Sequence, residues 1–134
     1  QILNGAKNIK LGDTSPTRDF NYVSDTCNGL ISISKSDKTM GEAINIGSNF
    51  EISIKETLEL IKDLMNSEVS FIEENERIRP KKSEVLRLWC DNTKILNLTD
   101  FSPKVSLKEG LKETIDWFKL DNNLESYKSK IYNI

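Results

Sequence analysis

Two four-residue runs, Ser53-Ile54-Lys55-Glu56 and Ser106-Leu107-Lys108-Glu109, fix the start of two helices and constrain the fold more than anything else in the chain. In each, a serine hydroxyl and a glutamate three residues on can satisfy each other's free backbone donors. Behind the first, Ile54, Leu58, Ile61 and Met65 recur at helical spacing, with Leu60 and Leu64 widening the stripe. Behind the second, Leu107, Leu111, Ile115 and Phe118 share one face.

Short apolar runs between turn residues supply the strands. Ile9-Lys10-Leu11 is one, closed by Gly12-Asp13-Thr14-Ser15-Pro16. Phe20, Tyr22 and Val23 form a second extended segment, and Val69 to Glu73 another. Ala43-Ile44-Asn45-Ile46-Gly47 lacks strict alternation, which predicts a strand buried on both faces, as in a parallel sheet. Ser24 or Asp25 is placed to cap a helix whose inner face carries Cys27, Leu30, Ile31 and Ser34. Asp91-Asn92-Thr93-Lys94 opens a short helix through Leu98, and Leu124, Tyr127 and Ile131 mark a terminal one. Gln1 to Gly5 reads as a helix tail stopped at glycine, the pattern of a chain cut from a longer one. Strands interleaved with helices predict one α/β unit with a small mixed sheet and several helices.

At 134 residues the chain is the size of one domain. Its formal charge of -2 gives no global pull toward nucleic acid or an anionic membrane, so any anion site is local. No apolar stretch is long enough to span a bilayer. Cys27 and Cys90 stand alone in a chain without histidine, which argues against zinc and fits a reducing, cytoplasmic setting. Packing is the expected use of both cysteines, of Trp89 and Trp117, and of Tyr22.

The local anion chemistry comes from arginines. Arg18 follows Pro16-Thr17 at the mouth of a strand, the usual place for ligand groups in α/β folds. Two readings stand for it: a phosphate clamp, or a surface arginine paired with Asp19 or Asp25. The distal run Arg77-Ile78-Arg79-Pro80-Lys81-Lys82-Ser83-Glu84 favours the clamp. Proline holds the residue before it extended, and a guanidinium fork fits diphosphate oxygens, so Arg79 is the leading diphosphate ligand. Lys81 and Lys82 read as solvent charges. Glu84 is the candidate acceptor for ribose hydroxyls, with a salt bridge to Arg87 or Lys82 as the alternative. The chemistry that such a grip would serve is missing. The glycines, at 5, 12, 29, 41, 47 and 110, form no Gly-x-Gly-x-x-Gly loop. There is also no Tyr-x-x-x-Lys pair and no nucleophile with a base.

The series Arg18-Asp19-Phe20-Asn21-Tyr22-Val23-Ser24-Asp25, Ile44-Asn45-Ile46-Gly47, Arg79-Pro80 with Glu84-Val85, and Trp89-Cys90-Asp91-Asn92-Thr93-Lys94 resembles the C-terminal part of extended short-chain dehydrogenase/reductases. Phe101-Ser102-Pro103-Lys104-Val105 and Ile115-Asp116-Trp117-Phe118 extend the likeness to nearly the whole chain. Within that superfamily it is similar to NAD-dependent nucleotide-sugar epimerases and dehydratases, and most of all to bacterial sugar-nucleotide 4,6-dehydratases, including those that begin legionaminic acid synthesis. The resemblance implies that residues 1–134 are the C-terminal substrate-binding portion of an extended Rossmann-type enzyme. It implies a UDP-, GDP- or dTDP-linked sugar as partner, with Arg18 and Arg79 on the diphosphate and Glu84 at the ribose. The strand with Ile9 and Leu11 would lie along the base. NAD and the catalytic residues would belong to an N-terminal Rossmann domain outside this chain, which alone would be inactive. The same implication exposes apolar surface at Val23, Leu30-Ile31 and Ile44-Ile46, so self-association of the isolated chain is expected.

Overall fold

The structure, a computed structural model, describes residues 1–77 and 83–127. Strand β1 (Asn8–Leu11) lies parallel to β4 (Ser70–Glu73), with Ile9 opposite Phe71 and Leu11 opposite Glu73. Between them the chain passes through β2 (Thr17–Arg18), helix α1 (Val23–Lys35), β3 (Ile52–Ser53) and helix α2 (Ile54–Met65). After β4 come a one-turn 3₁₀ segment (Asn75–Arg77), β5 (Arg87–Leu88), and helices α3 (Thr93–Leu98), α4 (Leu107–Phe118) and α5 (Asp121–Glu125). Strand β2 is the centre of a second, mixed sheet, antiparallel to β3 and parallel to β5. The expected α/β class with a small mixed sheet and several helices is therefore observed.

Both serine–glutamate runs do what their spacing requires. Glu56 N–H donates to Ser53 Oγ at 3.1 Å while Ser53 N–H donates to Glu56 Oε2 at 2.9 Å, and Ser106 with Glu109 repeats the exchange. Helix α2 stops at Asn66, whose left-handed backbone (φ 48°) lets Ser67 N–H close back on Lys62 O. Helices α2 and α4 pack together, and Ile9, Val69, Ile95, Phe101 and Ile115 form the buried apolar core. At the N-terminus, Gly5 N–H donates to Ile2 O and Ala6 N–H to Gln1 O around a left-handed Gly5. This is the bonding of a helix C-terminus closed by glycine.

Four local expectations fail for tertiary reasons. Strand pairing centres on Thr17–Arg18 rather than on Phe20–Val23, and Val23 already belongs to α1. That helix begins after an extended Tyr22 with no side-chain cap, because the carboxylate expected to cap it is used elsewhere. Asp25 is 1% exposed and accepts from the backbone N–H groups of Lys104 and Val105, both at 3.0 Å. The helix also turns its other side inward. Gly29 lies so close to Ile46 that a Cβ there would sit 2.6 Å from its methyl, while Cys27 faces solvent and Leu30 and Ile31 are 58% and 49% exposed. Finally, residues 43–47 take no regular strand conformation, since they pack on Gly29 and Cys90 without a strand beside them among the described residues.

The aromatic expectations divide. Tyr22 packs, with its ring against Gly110. Trp117 and Trp89 remain 45% and 47% exposed, the first edge-on to Phe118 and Tyr127, the second beneath the Arg87 guanidinium. Helix α3 starts where expected, with Asp91 accepting from Thr93 N–H at 2.9 Å. Ile131 lies outside the described residues. No helix among the described residues is long and apolar enough to cross a membrane, and none of their acidic or cysteine side chains group as metal ligands.

Candidate functional site

Strand alternation sorts the side chains of β2. Thr17 and Asp19 face the loop that leads into β3, and Arg18 points the other way. On the first side, Asp19 accepts from Ser48 N–H, Ser48 Oγ at 2.6 Å and Asn49 N–H at 2.9 Å, holding a turn in which Asn49 takes a left-handed backbone (φ 59°). Thr17 Oγ1 donates to Glu51 Oε1 at 2.5 Å. On the second side, Arg18 Nη2 meets Glu84 Oε1 at 3.1 Å, and Nη1 donates to the Thr17 carbonyl at 2.7 Å. Both side chains are largely covered, at 22% and 15% exposure.

Two sequence candidates 66 residues apart are thus brought together. Asp19 and Asp25, offered as surface partners for Arg18, have other roles, and Glu84 pairs with Arg18 rather than Arg87. Arg79, with Pro80, Lys81 and Lys82, lies outside the described residues. The chain on either side of them is anchored, however. Arg77 approaches Gly12 so closely that a Cβ there would lie 2.3 Å from the Arg77 carbonyl oxygen, and Glu84 is held at Arg18. Gly12 directly follows β1, so the strand carrying Ile9 and Leu11 ends against Arg77. Ile9 is core, at 6% exposure. Ser70 N–H bonds Lys7 O and Glu74 N–H bonds Leu11 O, so the alternation of a parallel pair turns the backbone groups of Ile9 and Leu11 toward β4. Those of Lys10 face the strand's outer edge, where its N–H reaches the Gln1 side chain at 3.4 Å.

Sequence reasoning missed Glu51. Its carboxylate receives both arms of the Arg87 fork, at 2.8 and 2.7 Å, besides the Thr17 hydroxyl. The Arg87 hydrogen bonds first, then that of Thr17, pull its carboxyl from 4.5 down to about 2. The only signal in the sequence was an unassigned acid two residues before a capping serine. A carboxylate with a lowered folded-state pKa contributes stability above its unfolded pKa and loses it as pH falls through the folded one. Acid unfolding followed by circular dichroism should therefore show wild type losing its margin over Glu51→Gln as pH drops from 4.5 toward 2. A margin constant across that range would refute the assignment. Burial, with Asp19 and Asp91 nearby, pushes the Cys90 thiol up and so disfavours its thiolate, and its side chain packs against Gly47.

A cleft of about 810 Å³ lies between Ile2-Leu3, α2, α4 and Tyr127 and takes in neither Arg18 nor Glu84. No glycine among the described residues forms the phosphate cradle of a dinucleotide-binding loop. Gly12, Gly29, Gly47 and Gly110 are each filled by a protein neighbour, and the open Gly5 and Gly41 are surface turns rather than a phosphate cradle before a helix.

Residues 1–114 match the family model described as GDP-mannose 4,6 dehydratase. The chain is 38% identical over 119 residues to a UDP-N-acetyl-alpha-D-glucosaminuronate decarboxylase of Bacillus cytotoxicus, covering 87% of this chain and 37% of that protein. It is 35% identical over 126 residues to a UDP-glucuronate 4-epimerase of Thermodesulfobacterium geofontis, covering 92% and 36%. Among solved structures, the UDP-glucuronic acid 4-epimerase of Bacillus cereus, in complex with UDP-glucuronic acid and NAD, superposes with a TM-score of 0.76 at 29% identity, covering 89% of this chain and 37% of that one. The chain thus spans little more than a third of the length of these relatives. With its α/β fold shared and the motifs in order, the chain belongs to the GDP-mannose 4,6 dehydratase family, among the NAD-dependent nucleotide-sugar epimerases and dehydratases of the extended short-chain dehydrogenase/reductase superfamily.

Proposed function

We propose that this chain is the nucleotide-sugar-binding portion of an NAD-dependent sugar-nucleotide 4,6-dehydratase. Arg18 and Arg79 hold the diphosphate, Glu84 accepts from the ribose, and the outer edge of β1 runs along the base. The observation that carries this reading is the meeting of Arg18 and Glu84 across 66 residues, with Arg77 seated against Gly12 at the end of β1. Binding energy spent on the diphosphate would orient the hexose, while NAD, held by another domain, supplies hydride transfer when bound.

The outward face of α1 supports that second domain. Val23, Leu30 and Ile31 are 65%, 58% and 49% exposed, an apolar stripe that a neighbouring domain would cover. Without it the isolated chain self-associates, and sedimentation velocity at rising concentration should show species heavier than a monomer. A single monomeric boundary throughout would count against the uncovered stripe.

Calorimetric titration with UDP, GDP and dTDP tests the grip and identifies the base. Arg79→Ala should lose about 1.5–3 kcal/mol of affinity for the preferred nucleotide. Unchanged affinity would remove Arg79 from the site. A 4-epimerase is the second reading, favoured by the epimerases among the relatives. Product analysis of the whole enzyme separates them, since a 4-keto-6-deoxy sugar marks a dehydratase and an inverted C4 hydroxyl an epimerase. Failure to bind any of the three nucleotides would leave a non-catalytic interaction module.

A further inference from the structure

Glu51 stands where three very short strands meet. Thr17 belongs to β2, Arg87 to β5, and Glu51 immediately precedes β3. Each of these strands has two residues, so the backbone ladder between them is brief. Thr17 N–H donates to Leu86 O at 2.8 Å and Asp19 N–H to Leu88 O at 2.9 Å. Strands this short gain little from their ladder alone, and side-chain bridges carry more of the burden of alignment. The bridge here is a strong type. One carboxylate takes a two-armed guanidinium fork and a hydroxyl together, and the fork is steadied from behind by the Trp89 ring 4.9 Å away. An ordinary exposed ion pair fixes little, but a planar bidentate pair fixes direction as well as distance.

That geometry reaches the arginine–glutamate pair through the chain itself. Arg18 is the neighbour of Thr17, and Glu84 is three residues before Arg87. The placement of β5 along β2 therefore decides whether the Glu84 carboxylate arrives at the Arg18 fork. Among the described residues Glu51 bonds neither of them. We infer that Glu51 is a positioning residue for the diphosphate and ribose site: by gripping Thr17 and Arg87 together it sets β5 against β2 and so holds Glu84 at Arg18. This rests on the reading of Arg18 and Glu84 proposed above.

The test uses the 134-residue chain labelled with ¹⁵N-arginine. Wild type, Glu51→Gln and, as a control for loss of a comparable surface pair, Glu42→Gln (which removes the Lys94–Glu42 bridge) are titrated with UDP, GDP and dTDP at a temperature where all are folded. Glu51→Gln is expected to weaken the preferred nucleotide about tenfold. It should also merge the Arg18 Nη signals that the Glu84 contact keeps distinct, while Glu42→Gln alters neither. Wild-type affinity together with unchanged Arg18 signals in Glu51→Gln would overturn the inference. If that variant does not fold, Arg87→Lys keeps the charge but loses the fork, and the same two readouts decide. If wild type binds none of the three nucleotides, or Arg18→Ala binds as wild type does, the proposed function fails. The ligand-free Arg18 signals then still show whether Glu51 holds Glu84 in place.

Discussion

Asp25→Ala is expected to lower the stability of the chain by about 2–4 kcal/mol, enough to drop its thermal midpoint by roughly 10 °C. Asp25 is 1% exposed, and one carboxylate oxygen takes the backbone N–H groups of Lys104 and Val105, 79 and 80 residues away. Those residues lead directly into the Ser106 cap of α4, so the contact ties the start of that helix to α1. Alanine leaves two backbone donors without their acceptor, and a broken buried contact of this kind costs more than the contact itself contributes. An asparagine side chain keeps one acceptor oxygen at the same size, so Asp25→Asn should fall between wild type and alanine. Urea unfolding of the three proteins makes the comparison, and equal midpoints for wild type and Asp25→Ala would dismiss the tie as incidental.

Arg18→Ala is expected to weaken nucleoside diphosphate binding by about 1.5–3 kcal/mol, on the order of ten- to a hundredfold. Two effects add. The ligand loses a charged donor, and Glu84, only 15% exposed, is left as an uncompensated carboxylate facing an incoming anion. Arg18→Lys restores charge without the fork and should recover only part of the affinity. Adding Glu84→Gln to Arg18→Ala removes the repulsion, so the double variant should bind better than Arg18→Ala alone. Calorimetry on wild type, the two single variants at Arg18 and the double variant makes the comparison. A double variant weaker than Arg18→Ala would mean that the contact of the Glu84 carboxylate with the ribose outweighs its repulsion of the diphosphate.

Much of this arrangement could be read from local sequence, and what could not was set by distant partners. The caps of α2 and α4 were legible because both members of each pair lie within one helical turn. Strands β1 and β4 were legible as compact apolar runs between turn residues. The orientation of α1 was not, because Asp25 is claimed by residues at the far end of the chain and Gly29 admits Ile46 on the side that the apolar count leaves bare. An apolar stripe names a surface that some partner should cover, and in α1 no described residue does so. The run 43–47 has strand composition without a strand to pair with among the described residues. At the site, Arg18 and Glu84 were recognisable by residue type and motif. Their meeting, and the bracing of Glu51 by Arg87, depend on strand placement that no window of neighbouring residues encodes.

The alternation along β2 has a consequence for errors in assembly. Thr17 and Asp19 are each fastened to the 48–51 loop by a carboxylate contact, one contributed by the loop and one by the strand. A slip of this strand by one residue would carry Asp19 to the face where Arg18 now stands, setting a second carboxylate against Glu84 in place of a guanidinium. Two tethers flanking a single arginine make such a slip break both at once, so a strand of only two residues is protected against misthreading despite its brevity.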